Sequence, residues 1–191
     1  WTPLYLAANR ALTEVVEWLI ANGANVNQAD FVKMTPLHVS RTREITRSLI
    51  KAGADVDAID DWYRTSLRHA AESKNFEVVG TILELGGKMD LVSAIYLDDI
   101  ALIAKLIKLD PKSVNRPVNP QDVDSNNKYG NWSPLMVAVW KKDKQVVQML
   151  LDAEADINDK NELGFAFGPP RCTTVSPLTN AISFKDIGMV E

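Results

Sequence analysis

The residues of this chain that could do chemistry are few, and their spacings argue against most of the reactions they suggest. Cys172 is the only cysteine. It lies in a stretch rich in glycine and proline, with no histidine or acid at a spacing that would activate a thiolate, so it is expected to be an ordinary loop thiol. Asp55, Asp57, Asp60 and Asp61 are spaced like the start of a calcium loop. Asp60, however, occupies the place where such a loop needs a glycine, and Ser66 stands where its bidentate glutamate would be. Gly86-Gly87-Lys88 suggests a phosphate loop, but Ile82 replaces the earlier glycine, Met89 follows the lysine, and a helical pattern rather than a strand precedes it. Its chemistry is that of a helix C-cap. Asn131-Trp132-Ser133 is a glycosylation sequon, expected to stay silent because no secretory signal precedes it.

What these residues are attached to is a recurring unit. Thr35-Pro36-Leu37-His38 has counterparts in Thr2-Pro3-Leu4-Tyr5, Thr65-Ser66-Leu67-Arg68, Ser133-Pro134-Leu135-Met136 and Ser176-Pro177-Leu178-Thr179. Each begins with a hydroxyl that can accept from an orphan N–H at a helix start. Most then place proline where its missing N–H costs nothing, and all continue with an apolar anchor. A second helical pattern follows, with Val15, Val16, Leu19 and Ile20 on one stripe. The stripe returns as Ile45/Thr46/Leu49/Ile50, Val78/Val79/Ile82/Leu83, Leu102/Ile103/Leu106/Ile107 and Val146/Val147/Leu150/Leu151. Gly23, Gly53 and Gly86 stop three of these helices in a position suited to a left-handed cap, whereas Glu154 holds the matching place in another.

The period from Thr2 to Thr35 is that of a helix–turn–helix with a projecting finger. With Gly23-Ala24-Asn25-Val26-Asn27 and Gly53-Ala54-Asp55-Val56-Asp57, these motifs closely resemble the ankyrin repeat family. The resemblance implies an all-α repeat solenoid, a helix–turn–helix stack with β-hairpin or loop fingers, forming one array over residues 1–191. Its repeats are expected at about 2–34, 35–64, 65–90, 91–127, 128–175 and 176–191, the last one truncated. Repeat two is short near Ser40-Arg41-Thr42, which predicts a clipped first helix. Repeat four meets Asp90 directly and is expected to lack its finger; a polar insertion falls at 116–127 and a second insertion, with Phe165, Phe167, Gly168, Pro169 and Pro170, at 164–174. The chain starts and stops inside the pattern, as a fragment of a longer protein would. His38 matches the family's structural histidine, and His69 is expected to face the stack. Leu150, Asp156, Ile157 and Asn158 resemble the surroundings of ankyrin asparagines that an oxygenase hydroxylates, which marks Asn158 as a possible hydroxylation site.

The chain has 191 residues, 46% of them hydrophobic, enough to bury a sizeable core. Its net charge of −4, with no long basic run, argues against nucleic acid or an anionic membrane as the main partner. One cysteine fits a reducing compartment, so the expected setting is the cytoplasm, or a host cytosol for a secreted effector. No apolar run is long enough to insert through a bilayer. Expected, then, is a non-catalytic scaffold with no cofactor and no metal, binding another protein. By position in the family, contacts fall on Phe31, Val32 and Met34 of the first finger and on Asp61, Trp62, Tyr63 and Arg64 of the second. On the first helices they fall on Asn9, Arg10, Glu72, Ser73, Trp140 and Lys141, with Tyr129 and Trp132 on a longer finger. Aromatics and arginine supply much contact area with few rotors to freeze. Trp18 and Phe76 are expected to pack within the helical layers. The alternative is a domain sensing a nucleotide-like ligand within a larger enzyme or channel, with Arg10, Arg64, Trp62 and Lys141 lining a groove.

Overall fold

The computed structural model describes residues 1–116 and 132–159, which contain nine α-helices and two short 3-10 turns. The chain divides into two compact units, Trp1–Met89 and Asp90–Glu191. Tyr129, Cys172, the Ser176 repeat and most of both insertions lie outside the described residues.

The first unit carries α1 (Pro3–Asn9), α2 (Thr13–Ala21), a single 3-10 turn at Pro36–Val39, α3 (Arg43–Lys51), α4 (Ser66–Glu72) and α5 (Phe76–Glu84). The recurring hydroxyls do cap: Thr2 Oγ1 accepts from Tyr5 N–H at 3.1 Å and Thr65 Oγ1 from Arg68 N–H at 3.3 Å. Leu4, Leu37 and Leu67, the anchors that follow, are 1–2% exposed. Second helices stack side by side, α2 on α3 and α3 on α5, through Val16, Ile45, Leu49, Val78 and Ile82. Repeat two lacks the residues for a full first helix, and only the 3-10 turn forms. Ser40 then replaces the missing helical bonds, with its hydroxyl donating to the Leu37 carbonyl at 3.0 Å and lying 2.9 Å from Thr46 Oγ1.

The second unit carries α6 (Leu91–Leu97), α7 (Ile100–Leu109), a 3-10 turn at Pro111–Asn115, α8 (Pro134–Trp140) and α9 (Lys144–Asp152). Only residues 85–90 separate α5 from α6, so there is no room for a finger between them. In place of the usual hydroxyl, Asp90 caps α6, accepting from Ser93 N–H at 2.8 Å. Asp98 ends that helix with φ 58°, and Asp99 opens α7 by accepting from Leu102 N–H at 2.9 Å. Among the described residues the fingers are loops rather than strands, with one antiparallel bridge pairing Ile59 and Thr65.

Trp18 and Phe76 do not pack inside the helical layers; they are 64% and 62% exposed. Trp18 follows the fully buried Val16 by two positions and so lies on the opposite side of α2. Phe76 is the first residue of α5 and stands clear of the preceding turn.

Candidate functional site

The two fingers of the first unit are the same structure built twice, thirty residues apart. In the first, Asp30 N–H donates to the Met34 carbonyl at 2.9 Å and Lys33 N–H returns to Asp30 O at 3.1 Å. In the second, Asp60 pairs with Arg64 at 3.1 Å and Tyr63 with Asp60 at 2.9 Å. Lys33 and Tyr63 occupy the left-handed region, at φ 59° and 58°, so that each chain can reverse. Each aspartate then clamps its own turn. Asp30 Oδ1 accepts from Val32 and Met34 N–H, both at 3.0 Å, and Asp60 Oδ1 accepts from Trp62 and Arg64 N–H, both at 2.9 Å. The fingers are tied to each other as well. Asp61 N–H donates to the Val32 carbonyl at 3.0 Å, and Lys33 Nζ lies 3.1 Å from Asp61.

Beneath the second finger lies a buried polar network. Asp60, 1% exposed, takes the Arg64 guanidinium at 2.8 Å and His69 Nε2 at 2.8 Å on Oδ2. Arg64 also reaches Glu72 at 3.3 Å, and its guanidinium lies 4.9 Å from the centre of the Trp62 ring. Burial by itself would raise the Asp60 carboxyl. The hydrogen bonds from His69 and from Arg64, with the charge of the guanidinium, outweigh it and hold the group at about 2. His38 Nδ1 accepts from Thr35 N–H at 3.1 Å, which leaves its proton on Nε2, donated to the Arg64 carbonyl at 3.0 Å. Burial, then the neighbouring His69, lowers His38 to about 4. The two imidazoles meet edge to face at 5.5 Å. Both histidines therefore brace the base of the finger.

The residues expected to make contacts differ in how they are placed. Phe31 is 82% exposed at its fingertip, while Val32, Met34, Trp62 and Tyr63 are half-buried. Arg64 and Glu72 are partners in the network just described. Arg10 is exposed at the end of α1, and Asn9 beside it accepts from Arg41 at 3.2 Å. In the second unit Trp140, 38% exposed, meets Trp132 edge to face at 6.2 Å. Lys141 turns inward: its ammonium donates to the Ile95 and Tyr96 carbonyls at 2.6 and 3.1 Å and pairs with Asp98, closing the C-terminus of α6. Of the four groups considered for a ligand groove, Trp62 and Arg64 are brought together, while Lys141 belongs to the other unit and is engaged with α6. Asn158 is exposed on the turn after α9, its N–H held by Asp156 Oδ1 at 2.8 Å.

Two features escaped the sequence reading. One is the clamping role of Asp30 and Asp60, although both stand five residues before a capping threonine, at Thr35 and Thr65. The other is Asn115, assigned to the edge of an insertion. Asn27 Nδ2 donates to the Gly53 carbonyl at 2.9 Å and its Oδ1 accepts from Asp55 N–H at 2.8 Å, joining adjacent repeats. Asn115 repeats this against the Glu154 carbonyl at 2.9 Å and Asp156 N–H at 2.7 Å. The parallel between Asn25-Val26-Asn27 and Ser113-Val114-Asn115 carried the signal.

Comparison with known proteins recognises the same recurring units as repeats. The description of ankyrin repeats in three copies matches residues 4–93, and that of a single ankyrin repeat matches residues 130–162. The chain belongs to the ankyrin repeat family. It is 31% identical over 172 residues to Rabankyrin-5 of Mus musculus, covering 83% of this chain and 14% of that protein. It is 39% identical over 70 residues to an L-asparaginase of Dirofilaria immitis, covering 35% of this chain and 12% of that protein. The chain thus spans about an eighth of the length of either relative. Among solved structures, the human ASB11 ankyrin repeat domain superposes with a TM-score of 0.56 at 22% identity, over 83% of this chain and 72% of that one. Ankyrin repeats are in general non-catalytic modules of protein–protein interaction. Among the described residues of this ankyrin chain, no three His, Cys, Asp or Glu side chains gather as a metal site would, and no helix is long and apolar enough to cross a membrane.

Proposed function

We propose that this ankyrin array is a non-catalytic scaffold that docks a partner protein on the finger edge of its first unit, in a cytosolic setting. The observation that carries the reading is Phe31, 82% exposed at the tip of a turn that Asp30 clamps and the next finger braces. An aromatic held out on a preorganised turn gives up little conformational entropy on binding, which is what a contact hot spot needs. Trp62, its face covered by Arg64, stands on the adjoining tip and extends the same apolar edge. The chain's net negative charge supports a protein partner over nucleic acid.

Immobilised wild-type chain and a Phe31→Ala variant, each exposed to a cell lysate, test the reading. Partners retained by the wild type should be lost from Phe31→Ala, equivalent to about 2 kcal/mol or more of binding free energy. They should persist on Trp18→Ala, another exposed aromatic, on α2 rather than on a finger. The melting temperature of Phe31→Ala should stay where it was, since a residue this exposed contributes little to the core. Equal retention by both variants would remove the finger edge from consideration.

A further inference from the structure

We infer that the partner segment docked on this finger edge is an extended peptide in which lysine or arginine alternates with apolar residues. The inference rests on the proposed docking edge and adds the chemistry of what it takes. Residues 24–34 and 54–64, the two fingers, hold five aspartates against Lys33 and Arg64. Both cations are already engaged, Lys33 with Asp61 and Arg64 with Asp60 and Glu72. Asp55 and Asp57 are exposed and meet no cation among the described residues. The two finger segments therefore carry unneutralised negative charge as well as exposed aromatic surface.

Phe31 and Trp62 each adjoin an aspartate of their own finger in the chain, Asp30 and Asp61. Phe31 and Trp62 flank the hydrogen bond between the Val32 carbonyl and Asp61 N–H, which fixes the two tips side by side. Trp1, 75% exposed, stacks on Tyr5 at 6.4 Å. A peptide laid along the tips meets apolar surface and carboxylates in turn. The opposite edge of the same unit lacks this excess of acid: Glu14, Glu44 and Glu77 in the first turns of α2, α3 and α5 are balanced by the basic residues beside them. Its three helix–helix turns, at residues 10–12, 40–42 and 73–75, carry Arg10, Arg41 and Lys74 and no acid. They are joined laterally by the Arg41–Asn9 bond and by Asn75 donating to the Arg41 carbonyl at 2.9 Å. The surplus of carboxylates on the fingers steers a cationic segment to that edge.

A random linear peptide library displayed on phage and panned on the wild-type chain supplies the probe. Enriched sequences should carry Lys or Arg spaced among Leu, Phe, Tyr or Trp. Their affinity, read by fluorescence anisotropy, should fall about tenfold on Asp57→Asn/Asp61→Asn and again on Phe31→Ala, rise on Lys33→Glu, and weaken several-fold when salt is raised above physiological strength. All these positions are exposed or half-buried, and thermal melts check that each variant is folded. Enriched peptides without basic residues that still depend on Phe31 would overturn this chemistry and leave the docking edge standing. Peptides indifferent to all these variants would overturn both. No enrichment overturns the inference, as would self-association in analytical ultracentrifugation abolished by Phe31→Ala. In that last case the basic turns of a second copy would be the occupant.

Discussion

His38 shows what a single side chain contributes when it is both buried and fully bonded. Its ring is neutral because each nitrogen has a task only the neutral tautomer can perform, accepting from Thr35 and donating to Arg64. The groups facing it are His69, Arg64 and Asp60, and the first two add positive charge. Its folded value of about 4 lies below its ordinary 6.5. As pH falls below 6.5 the unfolded chain takes up a proton that the folded chain refuses, so stability present above 6.5 is lost progressively down to about 4. Between pH 7 and pH 5 that loss is about 2 kcal/mol, or about 5 °C in Tm for a chain of this size. Asp60, held at about 2, has the opposite origin and adds to acid lability only lower down, where its unfolded counterpart begins to protonate near 4. Thermal melts across this range check the expectation: the wild-type Tm should fall between pH 7 and pH 5, and His38→Gln should flatten the profile whatever its absolute stability. An unchanged slope in the variant would assign the lability to another group.

At the scale of elements, legibility followed how local the determining interactions are. Helix starts were readable because a cap is a relation between a residue and its neighbour three places on, and Thr2, Thr65 and Ser133 cap as their sequence implies. The clipped helix of repeat two followed from counting residues. The finger clamps are equally local, two and four residues on, but an aspartate in a turn has many uses, and the burial of Asp60 that marks it out depends on His69 arriving from the next helix. The inward turn of Lys141 was hidden for the same reason: its partners lie in α6, more than forty residues earlier. Helix ends were again local. Gly23, Gly53 and Gly86 adopt φ of 82°, 91° and 103°, and Glu154, in the corresponding place after α9, is forced to φ 65°. Left-handed backbone costs a residue with a Cβ about 1 kcal/mol, partly offset by the freedom glycine regains when unfolded. Glu154→Gly should therefore raise Tm by about 2 °C. Its carbonyl bond from Asn115 involves backbone alone and survives the change. Glu154→Ala, which keeps the Cβ, should bring no gain. A rise in both variants would trace the effect to the lost charge instead.

For the molecule as a whole, a repeat protein has no single core, and its stability is a sum of local and nearest-neighbour terms that need not be uniform. The described helices differ sharply in what they bury. In the first unit α3 buries Ile45, Thr46 and Leu49, and α5 buries Val78, Val79, Thr81 and Ile82. In the second unit α6 buries five consecutive residues, Leu91 to Ile95. α7 is as apolar as any of them, yet only Ile103 is fully buried; Leu102, Leu106 and Ile107 are half-covered and Leu109 is 71% exposed. Each half-covered aliphatic forgoes part of the roughly 1.5–3 kcal/mol that full burial would contribute. No finger leads into the repeat containing α7, whereas Val32 and Asp61 tie successive fingers together in the first unit. Its local opening is opposed by its own helical hydrogen bonds, the buried Ile103, its packing on α6 and the Pro111–Asn115 turn, and the bonds of Asn115 to Glu154 and Asp156. Native-state hydrogen exchange read by mass spectrometry should show amides of α7 exchanging ahead of those of α3, α5 and α6. Because Asn115→Ala removes two bonds that hold the turn after α7, it should hasten exchange in the Pro111–Asn115 turn and α7 while leaving α3 unchanged. If all helices exchanged at one common rate, the chain would be opening as a single cooperative block and the uneven burial would have no energetic consequence.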